Sequence, residues 1–201
     1  YTDPVSGCTN TPATTDVTVN PLPVVVITAD ATTICVGETA QLTATGGGTH
    51  SWSRTTNIDD VTSATPIVSP ILTTTYVDTV TTALGCSTTE SITINVNPLP
   101  TIGASSDATI CESDSTQLTV TSDAGATFVW TPSATVSDPT SGVTYVKPTV
   151  TTTYKVVVTS TDGCQDSVTI KIDVQAIPTG TFVVDTDTIC FGDDALFTAA
   201  L

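Results

Sequence analysis

Six cysteines are the residues of this chain best placed to do chemistry, because they fall at two positions that recur. Cys8, Cys86 and Cys164 stand 78 residues apart and each follows a glycine, while Cys35, Cys111 and Cys190 each close a Thr-Ile-Cys string. Cysteines fixed at the same places in every copy are the usage of an oxidising compartment, where thiols are held as disulfides. Zinc is the competing chemistry and it fails on spacing, since there is no Cys-x-x-Cys pair and only one histidine, His50. That histidine follows Gly46-Gly47-Gly48 closely and reads as a solvated loop residue rather than a base. With one histidine there is no repeated Ser-His-Asp arrangement, so no enzyme is expected. Asp59-Asp60 and Asp193-Asp194 are the carboxylate pairs that could ligate Ca²⁺, but neither has EF-hand spacing, and surface charge is the preferred reading. No cofactor is expected, and calcium is the one ion with any support. Lys-Asn isopeptide crosslinks are excluded from the first full repeat, where lysine is absent.

The elements that position these cysteines repeat with them. Trp52 returns as Trp130, Tyr76 as Tyr154, and Pro21-Leu22-Pro23 as Pro98-Leu99-Pro100, then in weaker form as Ala176-Ile177-Pro178. A register held over so many landmarks marks one structural unit copied in tandem. The frame follows: 1–20 is the end of one repeat, 21–97 and 98–175 are complete repeats, and 176–201 opens a fourth. The partial ends lack the Trp and Thr-Thr-Thr-Tyr segments, so the chain reads as a stretch of a longer polypeptide.

The net charge of −16 sets 20 acids against four bases, Arg54, Lys147, Lys155 and Lys171. Such a chain repels nucleic acid and anionic membrane surfaces, and it carries no apolar run long enough to span a bilayer. Aliphatic content is too high and too regular for disorder. Threonine makes up about a quarter of the residues, far above ordinary usage, and with valine it favours half-buried strands. The class is all-β.

Along one repeat, the Pro-Leu-Pro junction is stiff because proline fixes φ. Val24 to Ala29 predicts a first strand and Val36-Gly37-Glu38 a turn. Thr39 to Thr45 predicts a second strand, with Ala40, Leu42 and Ala44 inward. Ser51-Trp52-Ser53 follows, then short edge strands at Pro66-Ile67-Val68 and, in the next repeat, Gly142 to Val146. Thr74 to Val80 (Thr152 to Val158) predicts the penultimate strand and Ser91 to Val96 (Ser167 to Val174) the last. Seven or so short strands in one repeat is the pattern of an Ig-like β-sandwich. Tyr76, Asp78 and Val80 share an inward face, where a carboxylate is unexpected, so Asp78 is placed near a strand end or a bulge.

The combined string Thr-Ile-Cys-x-Gly-Glu-Thr-Ala-Gln-Leu-Thr-Ala, Ser-Trp-Ser, Thr-Thr-Thr-Tyr, Gly-Cys-Ser and Val-Asn-Pro-Leu-Pro resembles the Ig-like/PKD-like repeats of giant Bacteroidota cell-surface proteins. The resemblance implies export by the type IX system and a place among gliding-motility adhesins or surface filaments. It also implies O-glycosylation at Asp-Ser/Thr-x sequons, here at Thr79, Ser115, Ser167 and Thr188. Two departures stand out: Cys111-Glu112-Ser113-Asp114 lacks the glycine of Cys35-Val36-Gly37-Glu38, and Gln175-Ala176-Ile177-Pro178 replaces Asn-Pro-Leu-Pro.

Modular copying favours disulfides within each unit, Cys35 with Cys86 and Cys111 with Cys164, leaving Cys8 and Cys190 to pair outside the chain. Closing a loop of about 50 residues would stabilise a unit by roughly 3–4 kcal/mol. Against this, the two turns concerned lie at opposite ends of such a sandwich, while a disulfide needs Cα atoms within about 7 Å. Stapling of Cys35 to Cys164 of the following unit is the alternative. The expected function is the structural shaft of a long secreted adhesin or filament, at the cell surface. A carbohydrate-binding or spacer module of a larger secreted protein is the second reading. The expected partners are neighbouring repeats, other surface or filament proteins, or extracellular polysaccharide.

Overall fold

The computed structural model describes Val5, residues 15–184, Thr188, 190–192, Asp194 and 196–200. The expectations for Cys8 and Asp193 lie outside the described residues. The chain divides into two compact units at the Asn97–Pro98 bond. Among the described residues there are sixteen strands and no helix.

In the first unit β1 (Ile27–Ala29), β3 (Ala40–Ala44) and β5 (Ile67–Val68) form a three-stranded antiparallel sheet in the order β1-β3-β5. The second sheet is β2-β7-β6-β4, from β2 (Thr33–Cys35), β4 (Thr49–Trp52), β6 (Thr74–Thr81) and β7 (Ser87–Asn97). The second unit repeats the plan strand for strand. Its three-stranded sheet is β8 (Gly103–Ala104), β10 (Thr116–Thr121) and β12 (Val143–Val146), and its four-stranded sheet is β9 (Ala108–Cys111), β14 (Gln165–Gln175), β13 (Thr152–Thr159) and β11 (Thr127–Thr131). Each unit is an Ig-like β-sandwich. A further antiparallel hairpin joins β15 (Thr181–Val184) to β16 (Phe197–Ala200).

The cores form where period-two alternation turns apolar residues inward. Leu42, Trp52, Val68, Tyr76 and Ile94 fill the first, and Leu118, Trp130, Val146, Tyr154 and Ile170 fill the second. Each buried indole still satisfies its N–H: Trp52 Nε1 donates to the Ser63 carbonyl at 2.9 Å and Trp130 Nε1 to the Ser141 carbonyl at 2.8 Å.

The Thr-Thr-Thr-Tyr segment is a device for starting a strand. The first threonine hydroxyl accepts from the last strand, Thr73 from Val96 N–H and Thr151 from Val174 N–H, each at 3.1 Å. The second donates back along the chain, Thr74 to Leu72 and Thr152 to Val150. The tyrosine then enters the core.

Two expectations change. The first strand is shorter than Val24 to Ala29, because Val24 and Val26 are exposed and pairing with β3 begins only at Ile27. The Thr-Ile-Cys string is itself a strand: β2 runs parallel to the end of β7, with Cys35 opposite Asn97, and β9 does the same with Cys111 opposite Gln175. A three-residue run is too short for its alternation to be read from sequence.

Candidate functional site

His50 and Asp78 overturn the expectations set for them. His50 lies on β4 rather than in a loop, because Gly48 lets the chain approach β6 closely: a Cβ there would stand 2.3 Å from the Thr81 carbonyl oxygen. Asp78 sits in the middle of β6, opposite Trp52, with no bulge. Its Oδ2 is 2.6 Å from His50 Nδ1, and its Oδ1 accepts from Ser51 N–H at 3.0 Å. The Asp78 side chain is fully buried and that of His50 is 9 % exposed. Two hydrogen bonds to the carboxyl therefore answer the desolvation cost that made an inward acid unexpected.

A histidine backed by a carboxylate is half of a nucleophile-activating arrangement. The other half is not supplied here, since strand alternation puts the neighbouring Ser51 side chain on the exposed face while His50 and Trp52 turn inward. The pair is part of the core.

The surface acids hold turns. Asp59 Oδ1 accepts from the N–H groups of Asp60 and Ile67, and Asp60 Oδ1 accepts from both the hydroxyl and the N–H of Thr62. Asp138 repeats the second arrangement with Thr140, and Asp123 accepts from the N–H and hydroxyl of Thr101. The Thr62 hydroxyl chiefly holds the Asp60 pKa below the ordinary aspartate value, and the Thr101 and Thr140 N–H groups chiefly do so for Asp123 and Asp138. Burial raises the Tyr76 phenol, opposed by Arg54. Asp173 raises Lys171 through a 2.7 Å ion pair on the exposed face of β14. Among the described residues no group of three or more His, Cys, Asp or Glu side chains comes together as a metal site.

The cysteines fall at two opposite ends of each unit. Cys86 lies in the β6–β7 hairpin, fixed by Thr82 N–H to the Cys86 carbonyl and Cys86 N–H to the Thr82 hydroxyl. Its thiol donates to the carbonyl of Asn20 at 3.8 Å, on the segment by which the chain enters the unit. Cys164 has the same hairpin, with Ser160 in place of Thr82. Cys35 and Cys111, by contrast, lie beside the last residues of β7 and β14, where the chain leaves.

The expected pairs within a unit are not formed: Cys86 and Cys111 carry free thiols, while Cys35 is disulfide-bonded in the first unit and Cys164 in the second. The reason is length. The eleven residues of β7 separate Cys86 from Cys35, and those of β14 separate Cys164 from Cys111. At about 3.3 Å per residue that is roughly 35 Å, far beyond the ~7 Å reach of a disulfide.

Of the sequon residues, Ser115, Ser167 and Thr188 are exposed, whereas Thr79 is half-buried on the outer face of β6. Both tryptophans are buried, so neither offers a face on which a sugar could stack.

No protein-family model matches the sequence, and no curated protein does. Among solved structures the chain is similar to the C-terminal 282-residue fragment of intimin, crystallised with the intimin-binding domain of its translocated receptor (16% identity, 80% of this chain and 66% of that one, TM-score 0.47). It is also similar to the insect immune protein hemolin (15% identity, 77% and 47% covered, TM-score 0.43) and to murine CEACAM1b (15% identity, 75% and 100% covered, TM-score 0.33). None of these likenesses carries a function or a partner over to this chain.

Proposed function

We propose that these repeats form a tension-bearing shaft of a long secreted cell-surface adhesin or filament, of the Bacteroidota type that the sequence resembles. The observation that carries this reading is the parallel pair at the edge of each unit. The chain enters ahead of β1 and β2 and leaves at the end of β7, and β2 is hydrogen-bonded in parallel to that last strand over Thr33–Asn95, Ile34–Val96 and Cys35–Asn97. Tension between entry and exit slides parallel strands along their axis, so the bonds of the ladder share the load instead of opening one at a time. The same pair recurs as β9 with β14 over four residue pairs.

Three features fit this use. The Pro-Leu-Pro junction is short and stiff, unlike a Gly/Ser linker. The charge of −16 keeps neighbouring shafts apart. Glycans on Ser115, Ser167 and Thr188 would shield strand edges from pairing and from proteases.

Stretching the reduced chain between its ends tests the reading. Each unit should unfold in one event that releases about 25 nm, from ~78 residues at ~3.4 Å each. Gradual extension with no such events would refute a tension-bearing role.

A further inference from the structure

In the second unit an open groove of about 320 Å³ runs beside β12, lined by Ser115, residues 134–137 and residues 145–147. We propose that it binds one uronic acid residue of an extracellular polysaccharide, the sugar ring lying on Tyr145 and its carboxylate meeting Lys147.

The strand builds the site by alternation. Thr144 and Val146 turn into the core, while Tyr145 and, one residue past the strand, Lys147 turn outward on the same side. At about 3.3 Å per residue their Cα atoms stand roughly 7 Å apart. The backbone beneath them is held from both sides. Tyr145 faces Gln117 of β10 on one side, and on the other its carbonyl accepts from Ser137 N–H at 2.9 Å. Its own N–H donates to Ser137 Oγ at 3.0 Å, and Lys147 N–H donates to the Thr135 carbonyl at 3.0 Å. The Thr135 hydroxyl is in turn bonded to the buried Tyr154 phenol. A ligand therefore meets a wall that is already ordered.

The polar ends on that wall are unspent. Among the described residues the Ser115 hydroxyl, the Tyr145 phenol and the Lys147 ammonium have no hydrogen-bond or ion-pair partner. The other bases are engaged or lie close to acids: Arg54 donates to the Thr75 carbonyl, Lys171 pairs with Asp173, and Lys155 lines a hollow together with Asp166. No carboxylate lines the groove. Asp114, next to Ser115 in the chain, is not part of its wall, and Asp138 is occupied by Thr140. Tyr145 is 55% exposed, a large aromatic ring left open to solvent.

The first unit has the same turn without the site. Ile58 bridges Val68 as Val136 bridges Val146, so Asp59, Ile67 and Ser69 answer to Ser137, Tyr145 and Lys147. Asp59 accepts from Ile67 N–H as Ser137 accepts from Tyr145 N–H. The fold thus requires neither an aromatic ring nor an ammonium here. Between the two units a carboxylate is lost, an ammonium is gained and an aliphatic side chain becomes aromatic, all at one groove.

Those three changes define the ligand. An exposed aromatic face takes the C–H face of a pyranose, and the free hydroxyls at its rim meet the ring hydroxyls. The ammonium selects a sugar that carries a carboxylate, since a charge-assisted hydrogen bond is roughly twice as strong as a neutral one. The net charge of −16 repels an anion at long range. That field is screened within about 8 Å at physiological ionic strength, so the contact with Lys147 outweighs the distant acids. The groove is at the small end of ligand sites, which suits one sugar residue rather than a length of chain. The site is independent of the shaft reading, because a shaft or a free-standing module could carry it.

Amide chemical shifts of the full chain, titrated with oligomers of glucuronic, galacturonic and mannuronic acid, test the proposal. Each oligomer is run beside its carboxyl-reduced, neutral counterpart and beside a glutamate-rich peptide. At least one uronate should move the amides of Ser115, 134–137 and 145–147, and should leave 57–59 and 67–69 of the first unit in place. Y145I and K147S carry the first unit's own residues at exposed positions, so the core amides should not shift. Y145I should weaken binding about tenfold, and K147S should remove the preference for the acid over its neutral counterpart. The proposal is overturned if no uronate moves these amides, or if the neutral oligomer or the peptide moves them as strongly. Unchanged binding by either variant, with its core amides intact, would overturn it as well.

Discussion

His50 Nδ1 and Asp78 Oδ2 lie 2.6 Å apart inside the first unit, and the second unit replaces both residues with hydrocarbon. Trp52 pairs with Asp78 as Trp130 pairs with Val156, and His50 with Val80 as Phe128 with Val158. One fold thus fills the same inward positions with a hydrogen-bonded polar pair in one repeat and with Phe128 and Val156 in the next.

That substitution defines a double-mutant cycle. Removing one partner of a buried polar pair strands the other, so H50F should destabilise the first unit by about 3–5 kcal/mol and D78V by about 1–3 kcal/mol. The double variant H50F/D78V should recover most of the loss, because its positions then match the second unit. Hydrogen exchange of β6 and β7 amides reads the first unit alone. Additive losses in the double variant would show that the pair is not coupled.

The second turn offers a gain. Ser113 holds a φ of 73° where the first unit has Gly37 at 93°. A side chain in the left-handed region costs about 1–2 kcal/mol, part of which glycine's greater unfolded-state freedom offsets. S113G should therefore stabilise the second unit by up to ~1 kcal/mol, and G37A should destabilise the first by about 1 kcal/mol although nothing lies within 4 Å of its new Cβ. Urea midpoints moving the other way would contradict a backbone origin.

The tryptophan N–H bonds should be worth measuring one unit at a time. W130F leaves the Ser141 carbonyl without its 2.8 Å donor and opens space in the core. The expected loss is about 2–4 kcal/mol, confined to exchange-protected amides of the second unit. Equal loss of protection in β6 and β7 would mean that the units do not unfold separately.

Acid should weaken the turns held by Asp60, Asp123 and Asp138. Their pKa values are lowered in the folded protein, so the unfolded chain binds protons first. Their contribution is fully present above the unfolded value of about 3.9 and is lost as pH falls through the folded values. The triple variant D60N/D123N/D138N should show a shallower decline of the urea midpoint below about pH 4. An unchanged slope would assign the acid sensitivity to other groups.

Much of the fold was legible in the residues. Ala40, Leu42 and Ala44 announced a half-buried strand by alternation, and all three are buried. Trp52, Trp130, Tyr76 and Tyr154 announced core positions by recurring at one interval, and each is buried. The role of His50 was not legible. A histidine after three glycines looks like loop, and only the cross-strand register reveals Asp78 diagonally across from it. The anomaly of an acid on the inward face of β6 was the available signal, since a buried carboxylate requires a donor and the first repeat has only His50 and Arg54 as side chains able to carry positive charge.

The sequence by itself determined what is local or periodic: an all-β chain, two cysteine positions per repeat, the inward residues of the long strands, and the charge. These follow from side-chain alternation and composition, which need no knowledge of neighbours. The tertiary structure alone decided what depends on residues far apart in the chain meeting in space. Strand pairing brought His50 to Asp78, and the parallel run of β2 and β9 along the last strands carried Cys35 and Cys111 to the exit of each unit. The length of those last strands, eleven residues each, is what keeps the two cysteines of a repeat from closing on each other.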